Sequence, residues 1–116
     1  MEKPFEQCKI LDLGCLDGIY SIEMALQGAH VIGIDAREAN IKRATFSKDC
    51  LGLNNVEFIQ DDVRNLSIER YGRFDVILCS GLLYHLNTPD SFVLLERIYE
   101  MLGRLLIIDT HISLAP

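Results

Sequence analysis

The strongest constraint on the fold is an apolar run that ends in a glycine-rich loop, Lys9-Ile-Leu-Asp-Leu-Gly-Cys-Leu-Asp-Gly18. A second apolar run, Val31-Ile-Gly-Ile-Asp35, ends in a carboxylate. A strand, a glycine loop, a helix and a second strand in this order form the pocket in which an α/β sheet binds an adenosine-containing ligand. The spacing of the glycines then distinguishes between ligands.

Short apolar runs alternate with amphipathic segments along the chain. The runs are hydrophobic throughout, which is typical of parallel strands covered on both faces. Right-handed crossovers then predict a doubly wound α/β layout in one domain, residues 1–116. The predicted strands are 8–13, 30–34, 56–59, 74–79 and 104–108, and the predicted helices are 18–27, 37–51 and 91–102.

Two further expectations concern the segments between these strands. The helical spacing of Ile41, Ala44 and Leu51 predicts that these three side chains face inward from the helix 37–51. The segment 60–73 is the longest irregular stretch, with one helical turn expected around Ile68.

Charge and hydropathy disfavour two classes of partner. The formal net charge is -6, so the surface repels nucleic-acid phosphates, and no direct nucleic-acid partner is expected. Lys42, Arg43 and Lys48 lie on one predicted helix and are interpreted as a solvated face. No apolar run approaches the roughly 20 residues that span a bilayer, and no apolar leader is present, so we expect a cytoplasmic protein without membrane contact.

The four cysteines are interpreted as reduced core residues. No two of them form a CxxC pair, and their spacing matches no zinc-binding pattern; they are Cys8, Cys15, Cys50 and Cys79. No metal site is expected.

The glycine spacing disfavours a dinucleotide. With Gly14 as the first glycine, the Gly-x-Gly-x-x-Gly fingerprint requires glycine at positions 16 and 19, where the chain has Leu16 and Ile19. Without those glycines the backbone does not easily approach a pyrophosphate, so an NAD-dependent oxidoreductase is the less favoured hypothesis.

The segment Asp12-Leu-Gly-Cys-Leu-Asp-Gly18 resembles motif I of the class I S-adenosylmethionine (SAM)-dependent methyltransferases, a Rossmann-like family that includes the type 11/12 methyltransferase domains. The usual motif is Asp/Glu-x-Gly-x-Gly-x-Gly, and Leu16 replaces its middle glycine. The resemblance implies strand order 3-2-1-4-5, truncated relative to the seven-stranded family fold. Further segments resemble family motifs in the expected order, namely 31–35, 58–64, 74–86, 97–102 and 104–109.

The resemblance implies SAM as the cofactor, with a set of residues around it. Asp12 would orient the methionine ammonium through water, Asp35 would accept from the ribose diol, and Asp62 would accept from the adenine amine. The Val63 amide would meet a ring nitrogen, and the Cys79 carbonyl is a second candidate partner for the ammonium. The remaining predicted cofactor-binding residues are Gly14, Cys15, Gly18, Ala36 and Asp61.

Structural roles remain open for several of these residues. Gly14 and Gly18 could simply form a tight strand-helix turn. Asp35 could cap the helix that starts near Arg37. Asp61 and Asp62 could be turn formers, and the sequence does not decide which of the two faces the pocket.

Methyl transfer is an in-line displacement from an activated donor, so a dedicated base is optional. The candidates are Tyr84 and His85 after the fourth strand and His111 after the fifth, since ligands bind at the carboxyl ends of such strands. For His85, a helix-packing role is favoured at least as much as catalysis. The segment Cys79-Ser-Gly-Leu-Leu lacks the Asn/Asp-Pro-Pro-Tyr pattern that many amino-methylating relatives use for planar nitrogens. This disfavours a nucleobase or glutamine target without excluding it, and a small-molecule acceptor is the default expectation.

The sequence therefore predicts the donor-binding core of a SAM-dependent methyltransferase. The alternative is a non-catalytic SAM-binding module, or a fragment that needs a partner chain. Family members usually continue with two further strands, so we expect the acceptor half to be mostly missing. The edge of the fifth strand would then favour a homodimer or a partner domain that completes the sheet.

Overall fold

The computed structural model describes residues 4–80 and 88–109. The strands are Lys9–Leu13 (β1), His30–Asp35 (β2), Val56–Gln60 (β3), Phe74–Ser80 (β4) and Leu102–Asp109 (β5). The α-helices are Ile19–Leu26 (α1), Glu38–Leu51 (α2), Ile68–Tyr71 (α3) and Thr88–Met101 (α4). Two 3-10 turns, Phe5–Gln7 and Val63–Asn65, complete the described elements.

The five strands form one parallel sheet in the order β3-β2-β1-β4-β5. Both the predicted fold class and the predicted strand order are confirmed. Because all strands run in the same direction, their carboxyl ends meet at one edge, and the order changes direction beside β1. Ligands of such sheets bind at this place.

Two apolar clusters cover the two faces of the sheet. Leu11, Leu13 and Ile34 belong to the first cluster, together with residues of α4 and of the 3-10 turn Val63–Asn65. Ile10 and Val31 belong to the second, together with residues of α1. Successive residues of one strand point to opposite faces, so this division shows helices packed on both sides. The doubly wound layout is thereby confirmed.

One aromatic ring packs behind the glycine loop. A Cβ added to Gly18 would lie 2.7 Å from Phe58 Cζ and 2.9 Å from Ala44 Cβ, and one added to Gly33 would lie 2.8 Å from Phe58 Cδ1. Gly18 and Gly33 thus leave the volume that the ring of Phe58 fills. This contact fixes the start of α1 against β2, β3 and α2.

The structure corrects three details of the sequence interpretation. Leu51 is 53% exposed, so the expected inward position is wrong, whereas Ala44 is fully buried as predicted. Cys50 is exposed, so it is not a core residue, whereas Cys8, Cys15 and Cys79 are buried. The segment 60–73 holds the turn Val63–Asn65 as well as α3, and thus more regular structure than the single turn expected near Ile68.

Two other surface features bear on partners. Lys42 pairs with Glu38 at 3.3 Å, and both side chains are largely exposed, which fits a solvated helix face. Within residues 4–80 and 88–109, no helix is long and apolar enough to cross a bilayer.

Candidate functional site

The sheet register brings the predicted carboxylates to one edge. Leu13 of β1 pairs with Ile34 of β2 and with Cys79 of β4, and Asp35 pairs with Gln60 of β3. Asp12 therefore lies one residue before the end of β1, Asp35 is the last residue of β2, and Asp61 and Asp62 directly follow the end of β3, at the same edge of the sheet. The predicted grouping of these residues follows from the strand order.

Asp12 is a buried carboxylate whose hydrogen-bond donor is a serine. The residue is 1% exposed, and its Oδ2 accepts a hydrogen bond of 2.6 Å from Ser21 Oγ on α1. Among the described residues, Ser21 provides the side-chain hydrogen bond to Asp12. A carboxylate accepts up to about four hydrogen bonds, so Asp12 retains capacity for another donor.

The surroundings of Asp12 disfavour its charge. The pKa of this carboxyl is raised to about 6, mainly because burial disfavours the charged form; the hydrogen bond from Ser21 lowers the pKa, and repulsion from Asp35 adds a smaller increase. Among the described residues, no basic side chain is a cause of this shift. A cationic group of a ligand placed here would therefore be stabilised.

Asp35 joins the glycine loop to the entrance of α2. Its Oδ2 accepts from the Leu16 amide at 2.9 Å, and its Oδ1 accepts from the Arg37 amide at 2.8 Å and from Asn40 Nδ2 at 3.2 Å. The bond from Arg37 N–H supports the structural alternative, in which Asp35 organises the helix entrance. About one acceptor position is left, so two ribose hydroxyls could both bind only if one internal bond gave way.

The loop from Gly14 to Gly18 has three residues in the left-handed region. The φ angles are 70° at Gly14, 55° at Leu16 and 86° at Gly18. The Gly14 and Cys15 amides both donate to the Ile34 carbonyl, at 2.8 and 2.9 Å, so the loop lies against the end of β2. Leu16 adopts the conformation for which glycine is favoured, at a cost of roughly 1–2 kcal/mol.

The two thiols at this edge are not activated. Burial, together with the charge of Asp12, raises the pKa of Cys79 to about 11, and burial with the charges of Asp12, Asp35 and Asp17 raises the pKa of Cys15 as well. Both remain protonated at neutral pH, which argues against a nucleophilic role for either thiol.

Asp61 is the centre of a hydrogen-bond network. Its carboxylate accepts from the Tyr71 hydroxyl, from Asn65 Nδ2 at 3.0 Å and from the Asp62 amide at 2.8 Å, and Arg70 Nε lies 3.1 Å from Oδ2. Burial alone would raise the pKa of Asp61, but these donors and Arg70 hold it below its ordinary value. The network ties the end of β3 to α3.

Asp62 is more open and is paired with Arg64. Its oxygens accept from the Arg64 amide at 2.9 Å and from the guanidinium at 2.6 Å, and these contacts lower its pKa. The carboxylate remains 37% exposed, compared with 7% for that of Asp61. Of the two, Asp62 is therefore the more accessible to solvent.

Other predicted residues are less informative. The Ala36 carbonyl accepts from Gln60 Nε2 at 3.2 Å, Val63 is buried, and Cys79 lies within the ladder between β1 and β5. The three weak catalytic candidates, Tyr84, His85 and His111, lie outside the described residues.

Sequence reasoning missed Ser21 and Tyr71, which hold Asp12 and Asp61. Ser21 lies among the buried residues of α1, beside Ile22 and Ala25. A serine on a buried helical stripe requires a partner, and this could have pointed to Asp12. Tyr71 had no comparable pattern, because α3 is a single turn.

A surface cavity of about 630 Å³ lies between α1 and α2. Ile19, Phe46 and Leu51 provide apolar lining, and Lys42 and Arg43 line it as well. Asp12, Asp35 and Asp62 are not among its lining residues, so it is distinct from the carboxylate edge.

Comparisons with known proteins agree with this geometry. A family model described as a methyltransferase domain matches residues 4–114. The ubiquinone biosynthesis O-methyltransferase of Maricaulis maris (strain MCS10) is 39% identical over 92 residues, which are 79% of this chain and 36% of that protein. The ubiquinone biosynthesis O-methyltransferase of Acinetobacter baylyi is 35% identical over 85 residues, again 36% of its length. The chain thus spans about a third of these curated relatives.

Solved structures show the same fold with related ligands. The N-terminal domain of EvdMO1 with SAH bound has a TM-score of 0.78 and 37% identity, and the match covers 85% of this chain and 42% of that one. The magnesium protoporphyrin IX methyltransferase of Synechocystis PCC 6803 with bound SAM has a TM-score of 0.79 and 26% identity, covering 90% and 50%. The chain therefore belongs to the class I S-adenosylmethionine-dependent methyltransferases.

Proposed function

We propose that this chain binds SAM at the carboxyl ends of β1, β2 and β3 and serves as the donor-binding core of a methyltransferase. The observation that carries the proposal is the pair Asp12 and Asp35, two buried carboxylates without a described basic partner beside them. Such a pair suits a ligand that carries positive charge, and SAM has both an ammonium and a sulfonium.

The described residues fit the parts of this donor. Asp12 would hold the ammonium, directly or through water, beside the backbone of Gly14. Asp35 would accept from a ribose hydroxyl at its remaining acceptor position, and a second hydroxyl would replace one of its internal donors. Asp62 would accept from the adenine amine and share its charge with Arg64, while Asp61 holds this loop in place through Tyr71 and Asn65.

When bound, the donor supplies a methyl group that is already activated by the sulfonium. The protein then has to orient the donor and exclude water, and general-base help is secondary. The structure supports the orienting role, because the loop from Gly14 to Gly18 is fixed on both sides, by the Ile34 carbonyl and by the ring of Phe58.

For the acceptor, we propose a small molecule that is methylated on oxygen. The support is the similarity to enzymes named O-methyltransferases of ubiquinone biosynthesis. Tyr84, His85 and His111 remain candidates for contacts with this acceptor, and a homodimer or a partner domain beside β5 remains a candidate source of its pocket.

The proposal is tested first by binding. Isothermal titration calorimetry should show binding of SAM and of S-adenosylhomocysteine but not of NAD. Asp35→Ala should weaken SAM binding by about 1–3 kcal/mol, because a hydrogen bond from the ribose to a carboxylate is lost. Asn40→Ala is the matched control, since it removes one donor to Asp35 and leaves the carboxylate in place.

Two results would count against the proposal. An absence of SAM binding at millimolar concentration would remove it altogether, and unchanged affinity in folded Asp35→Ala would remove the ribose role. Turnover of labelled SAM with a panel of hydroxylated small molecules separates an enzyme from the alternative, a SAM-binding module. Binding without transfer under all conditions would favour the module.

A further inference from the structure

We propose that Ser21 is a positioning residue for the methionine end of the donor, because its hydroxyl holds the buried carboxylate of Asp12 in the orientation that receives the donor's ammonium. This inference rests on the proposed function, since it assumes that SAM binds at this edge. It adds a residue of α1 to a site otherwise built from strand ends and loops.

The geometry of the pair is tightly defined. Ser21 is fully buried, and its Oγ lies 2.6 Å from Asp12 Oδ2. A Cβ added to Gly33 of β2 would lie 3.0 Å from Ser21 Oγ, so the hydroxyl fills the space beside this glycine. The hydroxyl is confined between β1 and β2, and the bond to Oδ2 leaves Oδ1 of Asp12 for another donor.

Ser21 also favours the anionic form of Asp12. The pKa of Asp12 is about 6, the net result of burial, which raises it, the hydrogen bond from Ser21, which lowers it, and repulsion from Asp35, which raises it. Among the described residues, the other titratable groups that interact with Asp12 are the thiols of Cys15 on the loop and Cys79 on β4, whose raised pKa values keep them neutral below pH 8. Removal of the Ser21 hydroxyl should therefore bring the pKa of Asp12 close to physiological pH.

The test is the pH dependence of SAM binding in Ser21→Ala. Between pH 5.5 and 7.5 the α-amino group of SAM remains largely protonated, since such groups titrate near 7.7–8.0. Wild-type affinity should fall as the pH drops through the pKa of Asp12. In Ser21→Ala the midpoint should move up by about one pH unit, as expected for a lost hydrogen bond to a charged group. At pH 6.5 the variant should bind several-fold more weakly.

Two matched variants separate positioning from packing. Ser21→Thr retains the hydroxyl and should restore the wild-type midpoint, whereas Ser21→Cys retains a similar volume with a weak donor and should behave like Ser21→Ala. Asp12→Asn removes the titrating group and should flatten the pH profile. An unchanged midpoint in both Ser21→Ala and Ser21→Cys, with wild-type protein that binds SAM, would overturn the proposal.

A second measurement does not depend on SAM. Titration of the Asp12 carboxyl carbon by nuclear magnetic resonance, in ligand-free wild-type protein and in Ser21→Cys, gives its pKa directly. A higher pKa in the variant supports the role of Ser21, and equal values overturn it. If wild-type protein does not bind SAM, the proposed function fails, and this titration still decides whether Ser21 controls the ionisation of Asp12.

Discussion

The two ends of the candidate site carry their acidic residues in opposite ways. At the glycine-loop end, Asp12 and Asp35 are buried and accept from a hydroxyl, backbone amides and an amide side chain. At the β3-α3 end, Asp61 and Asp62 are each paired with an arginine, Arg70 and Arg64. Among the described residues, no basic side chain pairs with the carboxylates of the first end, whereas both carboxylates of the second end have an arginine partner.

This difference corresponds to the charge distribution of the proposed donor. The methionine portion is cationic and would lie beside the uncompensated carboxylates, whereas adenine is neutral and would lie beside the compensated ones. A charged ligand group can replace the missing counter-ion at the first end, while the second end has charge balance of its own. Electrostatics would therefore orient the donor along the edge of the sheet.

The largest effect is expected from a change that breaks the packing of the glycine-loop end. Gly18→Ala should lower the free energy of unfolding by about 2–5 kcal/mol. The added Cβ would overlap with Phe58 and Ala44, and alanine would also be strained in the left-handed backbone conformation of this position. Gly52→Ala is the matched control. Gly52 has a φ of 66° with no atom within 4 Å of an added Cβ, so only the strain remains, about 1–2 kcal/mol. Urea unfolding measures both variants, and equal losses would contradict the role of Phe58.

The comparison is tested most directly by neutralising one carboxylate at each end. Asp12→Asn should raise the free energy of unfolding at pH 7.5 by up to about 3 kcal/mol, because a pKa of about 6, above the ordinary value of 3.8 for this carboxyl, means that ionisation opposes folding. This gain should shrink as the pH falls from 6 towards 4. The stabilised variant should also lose SAM affinity, since the ammonium loses its counter-charge.

Asp61→Asn should have the opposite sign. The lowered pKa of Asp61 means that its ionised form stabilises the fold above the unfolded pKa, and that this contribution disappears as the pH falls through the folded pKa. We expect a loss of about 1–3 kcal/mol at pH 7.5. Urea unfolding between pH 4 and 7.5 measures both variants, and changes of the same sign would refute the contrast between the two ends.

The smallest effect is expected at Leu16. Leu16→Gly should raise the free energy of unfolding by up to about 1 kcal/mol, because φ is 55° and the side chain is 61% exposed, so little packing is lost. Thermal unfolding measures this gain. SAM affinity should stay within a few-fold of the wild-type value, because the backbone amide at position 16 still donates to Asp35 in the variant. A destabilised variant would show that the exposed leucine has packing partners.

Much of this site could be predicted from the sequence, because strand ends follow from apolar runs. Asp12 lies one residue before the end of such a run and Asp35 ends one, and parallel strands place their ends together. The different exposure of Asp61 and Asp62 could not be predicted, since it depends on Tyr71, Asn65 and Arg70 meeting one carboxylate across a short irregular segment. The inward position predicted for Leu51 from the helical spacing is wrong. Leu51 is the last residue of α2, and the buried residue of this helix is Ala44.

The ring of Phe58 has a consequence for how this protein can be altered. One side chain fills the space left by two glycines that are 15 residues apart in sequence, Gly18 and Gly33. Substitutions at the three positions are therefore coupled: a larger residue at Gly18 or Gly33 is accommodated only after Phe58 has been replaced by a smaller residue. Variation at the glycine loop is thus limited by the ring of Phe58, which belongs to β3 and packs behind the loop.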